Sequence, residues 1–231
     1  MSSSVKTFVF AFVMCLVCGG ALSFTAIKLR PLQEENVVLD KQKNILLALG
    51  VLDKKIKYTK ENIQRSYKDS VKEVFIDDQG QLYNENNPEG SYSRLFLNMK
   101  NNRLESYAFH YSAYGLWSYI KGYFALRADG KTVQGITVYA HGETPGLGGE
   151  CEKPWFQDQF KGKKIINQIG SFTGIGVVKG KVKDFYSGIE AENYVDGMSG
   201  ATITSVGIQN DLNKIILAYE PFSKKLRGVS P

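Results

Sequence analysis

The residues with the most chemical capacity in this chain stand together near its C-terminus, in Asp196-Gly197-Met198-Ser199-Gly200-Ala201-Thr202-Ile203-Thr204-Ser205. Ser199, Gly200 and Ala201 are small enough to let backbone amides approach a ligand, and the hydroxyls at 199, 202, 204 and 205 can donate to it. An amphipathic run follows at once, with Ile208, Leu212, Ile215, Ile216 and Tyr219 on one face and Pro221 stopping it. The segment therefore opens a helix. A helix N-terminus presents unpaired amides and the positive end of a dipole, which together cradle phosphate. The same hydroxyls can serve a plainer purpose, with Thr204 or Ser205 capping the helix. The residues alone leave both readings open, because short glycine-containing matches are common.

Two other segments are unusual in composition. His141-Gly142-Glu143-Thr144-Pro145-Gly146-Leu147-Gly148-Gly149 follows an apolar strand and must turn tightly. It is either an ordinary strand-ending loop or a wrap around a flat ligand. In the second case Thr144 can hydrogen-bond a ring edge and Leu147 can cover a ring face, and Lys179, just beyond a predicted strand, is another candidate for the same ring. Tyr114-Gly115-Leu116-Trp117-Ser118 stands at the entrance to a hairpin, where a lone tryptophan is more often core than cofactor contact.

The elements that must position these segments can be read from periodicity. Val38, Ile45, Leu46, Leu49 and Leu52 predict a helix interrupted by Gly50, and Thr59 caps a second helix carrying Glu61, Ile63, Tyr67, Val71 and Val74. Residues 77–93 read as turns and an exposed loop. Tyr119–Leu126 and Val133–Tyr139 pair as strands across the turn Ala128-Asp129-Gly130-Lys131. A short helix is expected over Pro154–Phe160 and a strand over Ser171–Lys179. Strands and helices do not alternate regularly, so the fold class is α+β.

With 43% hydrophobic residues the chain can bury a core. Its net charge of +6 is dispersed, without an arginine-rich tract, and does not point to nucleic acid. Cys151 has no second soluble cysteine to pair with, and His110 and His141 are too few for a histidine-rich metal site. From Phe8 to Ile27 run 20 residues without a charge. At about 1.5 Å per residue they match a hydrocarbon core of roughly 30 Å. That length favours a retained span over a cleaved signal peptide, although Ala21-Leu22-Ser23 resembles a cleavage site. Residues 1–7 are then a tail, 8–27 a transmembrane helix and 30–231 one soluble domain. Lys28 and Arg30 after the span outnumber Lys6 before it, a weak preference for a cytoplasmic domain.

The Asp-x-x-Ser-Gly-Ala-Thr pattern at 196–202 resembles the flavinylation motif of the FMN-binding domain family, and Glu143–Gly148 resembles a second motif of that family. With Gly115-Leu116-Trp117-Ser118 and one N-terminal span, the chain is similar to the C-subunit family of Na⁺-translocating NADH:quinone oxidoreductases. The G-subunit of the Rnf ferredoxin:NAD⁺ oxidoreductase shares the first two motifs and is the alternative; a non-redox, membrane-anchored anion-binding module is another. The resemblance implies FMN esterified through its phosphate to Thr202. Ser199, Gly200, Ala201, Asp196, Thr204, Glu143, Thr144, Leu147, Gly148, Trp117 and Lys179 would lie around it. Asp196 would position or deprotonate Thr202, or only stabilise the turn. A threonine alcohol is a weak nucleophile, and the family relies on a separate Mg²⁺-dependent flavin transferase. The resemblance further implies a six-subunit bacterial inner-membrane complex with this domain in the periplasm, coupling NADH oxidation and quinone reduction to Na⁺ export. No Gly-x-Gly-x-x-Gly opens a helix, so NADH would be oxidised on another subunit.

Overall fold

The computed structural model describes residues 2–84 and 93–229. Helix α1 runs from Ser3 to Leu49 as one element, longer than the apolar span and continuous through Pro31. It ends where Gly50 adopts a φ of +76°, a helix C-terminal conformation that disfavours residues with a Cβ. The chain divides into two compact units, Met1–Asp40 and Lys41–Pro231. Within the first, the apolar window of α1 has a mean hydropathy of 2.2 and no buried residue.

In the second unit, Thr59 caps helix α2 (Lys60–Ser70), its Oγ1 accepting from the Asn62 N–H at 3.3 Å. Val71 and Val74 do not extend this helix, as the sequence pattern suggested. They begin strand β1 (Val71–Ile76), where β-branched side chains fit a half-buried pleat. Strand β2 (Leu82–Tyr83) returns alongside it after the turn at Asp77–Gly80. The rest of the expected loop, residues 85–92, lies outside the described residues.

Strands β3 (Ser93–Lys100) and β4 (Arg103–Tyr114) form a hairpin that the sequence reading passed over. Its two-residue turn is Asn101-Asn102, with φ of +50° and +59°, the left-handed pair that matches strand twist. The predicted hairpin is present as β5 (Tyr119–Arg127) and β6 (Val133–Ala140). Among the described residues these six strands make one antiparallel sheet in the order β2-β1-β3-β4-β5-β6. Strand β4 feeds both of its faces. Tyr107, Phe109, Tyr111 and Ala113 join the larger apolar cluster, whereas Ala108 joins a smaller one with Ile45, Ala48, Leu49 and Tyr123. His110 and Ser112 stay polar on the face of Ala108, so from Phe109 to Ala113 the strand keeps an apolar/polar alternation.

The larger cluster is closed by helix α4 (Thr202–Ala218), which packs on β4 through Ile208, Leu212 and Ile216. Pro221 does not simply end the helical region. It sits in the first turn of a short helix α5 (Glu220–Leu226), where an absent N–H costs nothing. Between the sheet and α4 the chain forms helix α3 (Pro154–Gln157) and the parallel strands β7 (Gly176–Val178) and β8 (Tyr194–Asp196). The expected strand over 171–179 is thus only its last part. The class is α+β.

Candidate cofactor-binding site

The chain leaves β8 at Asp196, turns through 197–200 and enters α4. Gly200 makes the turn with a φ of +71°, and a Cβ there would also lie 2.8 Å from the Leu147 side chain. Ala201 occupies the N-cap and contributes no side-chain cap. Thr204 and Ser205 do not cap either; both are buried in the first turn. Thr204 Oγ1 donates to Glu143 Oε2 at 2.7 Å, and Ser205 Oγ accepts from the Met198 N–H at 3.3 Å. The amides of residues 202–204 are consequently left without a cap, with Thr202 exposed at the first helical position.

This open end faces a cleft of about 750 Å³, within the range of small-molecule sites. Ser199, Gly200, Thr202, Lys179 and Lys181 give it polar lining; Trp155, Val177, Val178, Met198 and Val206 give apolar lining. Lys181 Nζ lies 3.2 Å from Asp196 Oδ2, and Asp196 Oδ1 accepts from the Val182 N–H at 2.7 Å. Asp196 thereby fastens the basic 179–182 turn beside the cleft. Trp155 and Glu150, which sequence reasoning did not single out, are a wall of the same cleft. The Trp155 indole Nε1 donates to Glu150 Oε2 at 2.7 Å and packs edge-on to Phe156, which fixes the ring while leaving it 43% exposed. Their only sequence signal was an aromatic pair at the start of the expected 154–160 helix.

The remaining candidates gather behind the cleft. Glu143 is buried and accepts from Leu116 N (3.1 Å), Trp117 N (2.8 Å) and Ser118 N (3.1 Å), besides Thr204. Burial alone would raise its pKa, but the Thr204 hydroxyl and the three backbone N–H groups outweigh burial and hold the carboxyl below its ordinary value. Gly148 closes against this carboxylate. The Thr144 carbonyl accepts from the Leu147 and Gly149 N–H groups, tightening the loop, and Leu147 stays 44% exposed beside Gly200. Trp117 enters the arrangement through its backbone; its indole is 68% exposed and lies outside the cleft lining. Burial, with Glu143 and Glu152 nearby, pushes the Cys151 thiol up to about 12, so it is an inert thiol.

Residues 115–216, which hold the turn, the loop and the helix start, match the model of the FMN-binding domain. The Na(+)-translocating NADH-quinone reductase C-subunit of Yersinia pestis is 32% identical over 96% of this chain and 92% of its own length. The C-subunit of Pseudomonas aeruginosa is 31% identical over 91% and 90%. The chain belongs to the C-subunit family of Na⁺-translocating NADH-quinone reductases. Two crystal structures of the family share its fold. The protein from Parabacteroides distasonis superposes with a TM-score of 0.70 at 29% identity, covering 84% of this chain and 96% of that one. The Shewanella oneidensis protein NqrC gives 0.69 at 26%, covering 85% and 99%. Of the alternatives the sequence left open, family membership selects the C-subunit. An uncapped helix end, two lysines and an apolar, tryptophan-walled cleft suit a phosphate monoester joined to a planar ring, so the residues present fit FMN.

Proposed function

We propose that this chain is the membrane-anchored, electron-carrying subunit of a redox complex, with FMN held covalently as a phosphoester of Thr202. The observation that carries the assignment is how the four hydroxyls divide. Thr204 and Ser205 are buried and already bonded, whereas Thr202 is exposed in the cleft at the open helix end. Ser199 is exposed too, but it precedes the helix and lacks that place.

In this reading the first-turn amides and Lys179 hold the phosphate, while Lys181, steadied by Asp196, adds positive charge beside them. Trp155, Val177, Val178 and Met198 shield an apolar ring from water. Bound FMN supplies one-electron transfer, and the protein positions it and tunes its potential. The attachment is made by a separate Mg²⁺-dependent flavin transferase. Residues 8–27 cross the bacterial inner membrane, 1–7 remain in the cytoplasm and the flavin domain stands in the periplasm. The six-subunit assembly couples NADH oxidation, on another subunit, and reduction of a quinone such as ubiquinone to Na⁺ export.

Intact mass of the purified chain, made with and without the transferase, tests the assignment. A flavin-phosphate adduct is expected only with the enzyme, on Thr202, and Thr202→Ala should abolish it while the protein still folds. An adduct mapped to Thr204 or Ser205 would overturn it.

A further inference from the structure

An open helix end poses a mechanical problem. A capping side chain would steady the first turn of α4, but it would also occupy the amides that a phosphate needs. Ala201 provides no cap, so the turn must be steadied from elsewhere or fray. That restraint comes from inside the domain. Thr204, only 1% exposed, is bonded through its hydroxyl to Glu143. The same carboxylate takes the N–H groups of Leu116, Trp117 and Ser118. A carboxylate offers about four acceptor positions, and these donors fill them. None is left for a ligand, and Glu143 is not part of the cleft lining.

Two glycines make the arrangement possible. A Cβ at Gly115 would lie 2.6 Å from Glu143 Oε1; one at Gly148 would lie 2.5 Å from Oε2 and 2.8 Å from Thr204 Oγ1. The Gly115–Ser118 turn, the Glu143–Gly148 loop and the start of α4 therefore meet on one buried charge.

We propose that Glu143 is a positioning residue for cofactor attachment. Acting through Thr204, it clamps the first turn of α4 to the 115–118 turn, so that Thr202 and the open amides are presented to the cleft in a fixed geometry. Glu143 does not touch the cofactor. This rests on FMN attachment at Thr202 and adds what holds the acceptor threonine in place.

The test uses the full-length chain with flavin transferase and FAD, following loading by intact mass. Amide exchange at Ser205, whose N–H is bonded to the Ala201 carbonyl, and thermal unfolding are measured on the unloaded protein. Thr204→Val keeps the side-chain shape without the hydroxyl, Glu143→Gln keeps the size without the charge, and Thr204→Ser restores the donor. The wild type should load on Thr202. Thr204→Val and Glu143→Gln should load at least tenfold more slowly at saturating transferase and exchange the Ser205 amide faster, with most of the protein still folded at the assay temperature. Thr204→Ser should recover the rate. Loading of both variants at the wild-type rate, or slowed only in proportion to lost folded protein, overturns the proposal, and so does failure of Thr204→Ser to recover. An unmodified Thr202 in the wild type would sink the underlying flavin reading itself, and that result is seen before any variant is compared.

Discussion

Single side chains divide here into those exposed around the helix start and those that hold others in place. Leu147 is exposed beside Gly200, at the edge of the helix start that carries Thr202. Leu147→Ala is expected to leave covalent attachment intact while shifting flavin absorbance or reduction potential. A change in thermal stability alone, with absorbance and potential both unchanged, would make the loop purely structural. Glu143 belongs to the second group, and its charge has a signature in pH. Its folded-state pKa lies below the ordinary 4.5, so its contribution is fully present above that value and is lost as pH falls through the folded pKa. Glu143→Gln should cost about 1–3 kcal/mol near neutral pH, because donors are left poorly matched in a buried site. Urea unfolding at pH 7 and below pH 4 should show the gap between variant and wild type narrowing in acid; a gap independent of pH would mean that the charge contributes no stability. The acceptor motif was legible in the sequence because small residues and hydroxyls before an apolar period have few other uses. Which hydroxyl is free was not legible, since Thr204 is taken up by Glu143, 61 positions away, and Ser205 by the Met198 N–H.

At the level of elements, the seat of α4 on the sheet decides where the cleft opens. The helix is held by Asp211, whose Oδ2 accepts from the Tyr114 N–H at 2.9 Å, and by a close approach at Gly207, where a Cβ would collide with the Tyr114 carbonyl. Helix propensity alone would make Gly207→Ala stabilising by about 1 kcal/mol. Packing argues the reverse, because backbone at that distance must move, and overpacking typically costs about 1–3 kcal/mol. We expect a lower Tm for Gly207→Ala in thermal unfolding; a higher one would show that α4 has room to shift. The β5–β6 hairpin was legible from Asp129-Gly130 between two apolar runs. The β3–β4 hairpin carried an equally good turn in Asn101-Asn102 and an alternation from Phe109 to Ala113, so it was legible as well, although the sequence reading passed over it. Val71 and Val74 match helical spacing, but they are β-branched, and pairing with β3 settles them as strand on opposite faces of the sheet.

For the molecule as a whole, the proposed orientation conflicts with the charges beside the span, Lys6 before it and Lys28 and Arg30 after it. Three residues are a small bias, and long domains translocate largely regardless of flanking charge. A periplasm-dependent reporter enzyme fused after Pro231 should therefore be active, and activity confined to a cytoplasm-dependent reporter would reverse the topology. The sequence by itself determined an apolar segment of membrane length, an α+β class and three motifs with cofactor chemistry, because each is written in neighbouring residues and a local period. Only the tertiary structure decided that the apolar span and the helix expected up to Gly50 are one element, that the Thr204 hydroxyl turns inward to Glu143 and that Trp155 joins the cleft. Those outcomes depend on partners far apart in the chain: a buried carboxylate satisfied by two distant segments, and a helix seated on a sheet by one glycine. No local pattern encodes them, because their energy arises only when the segments meet.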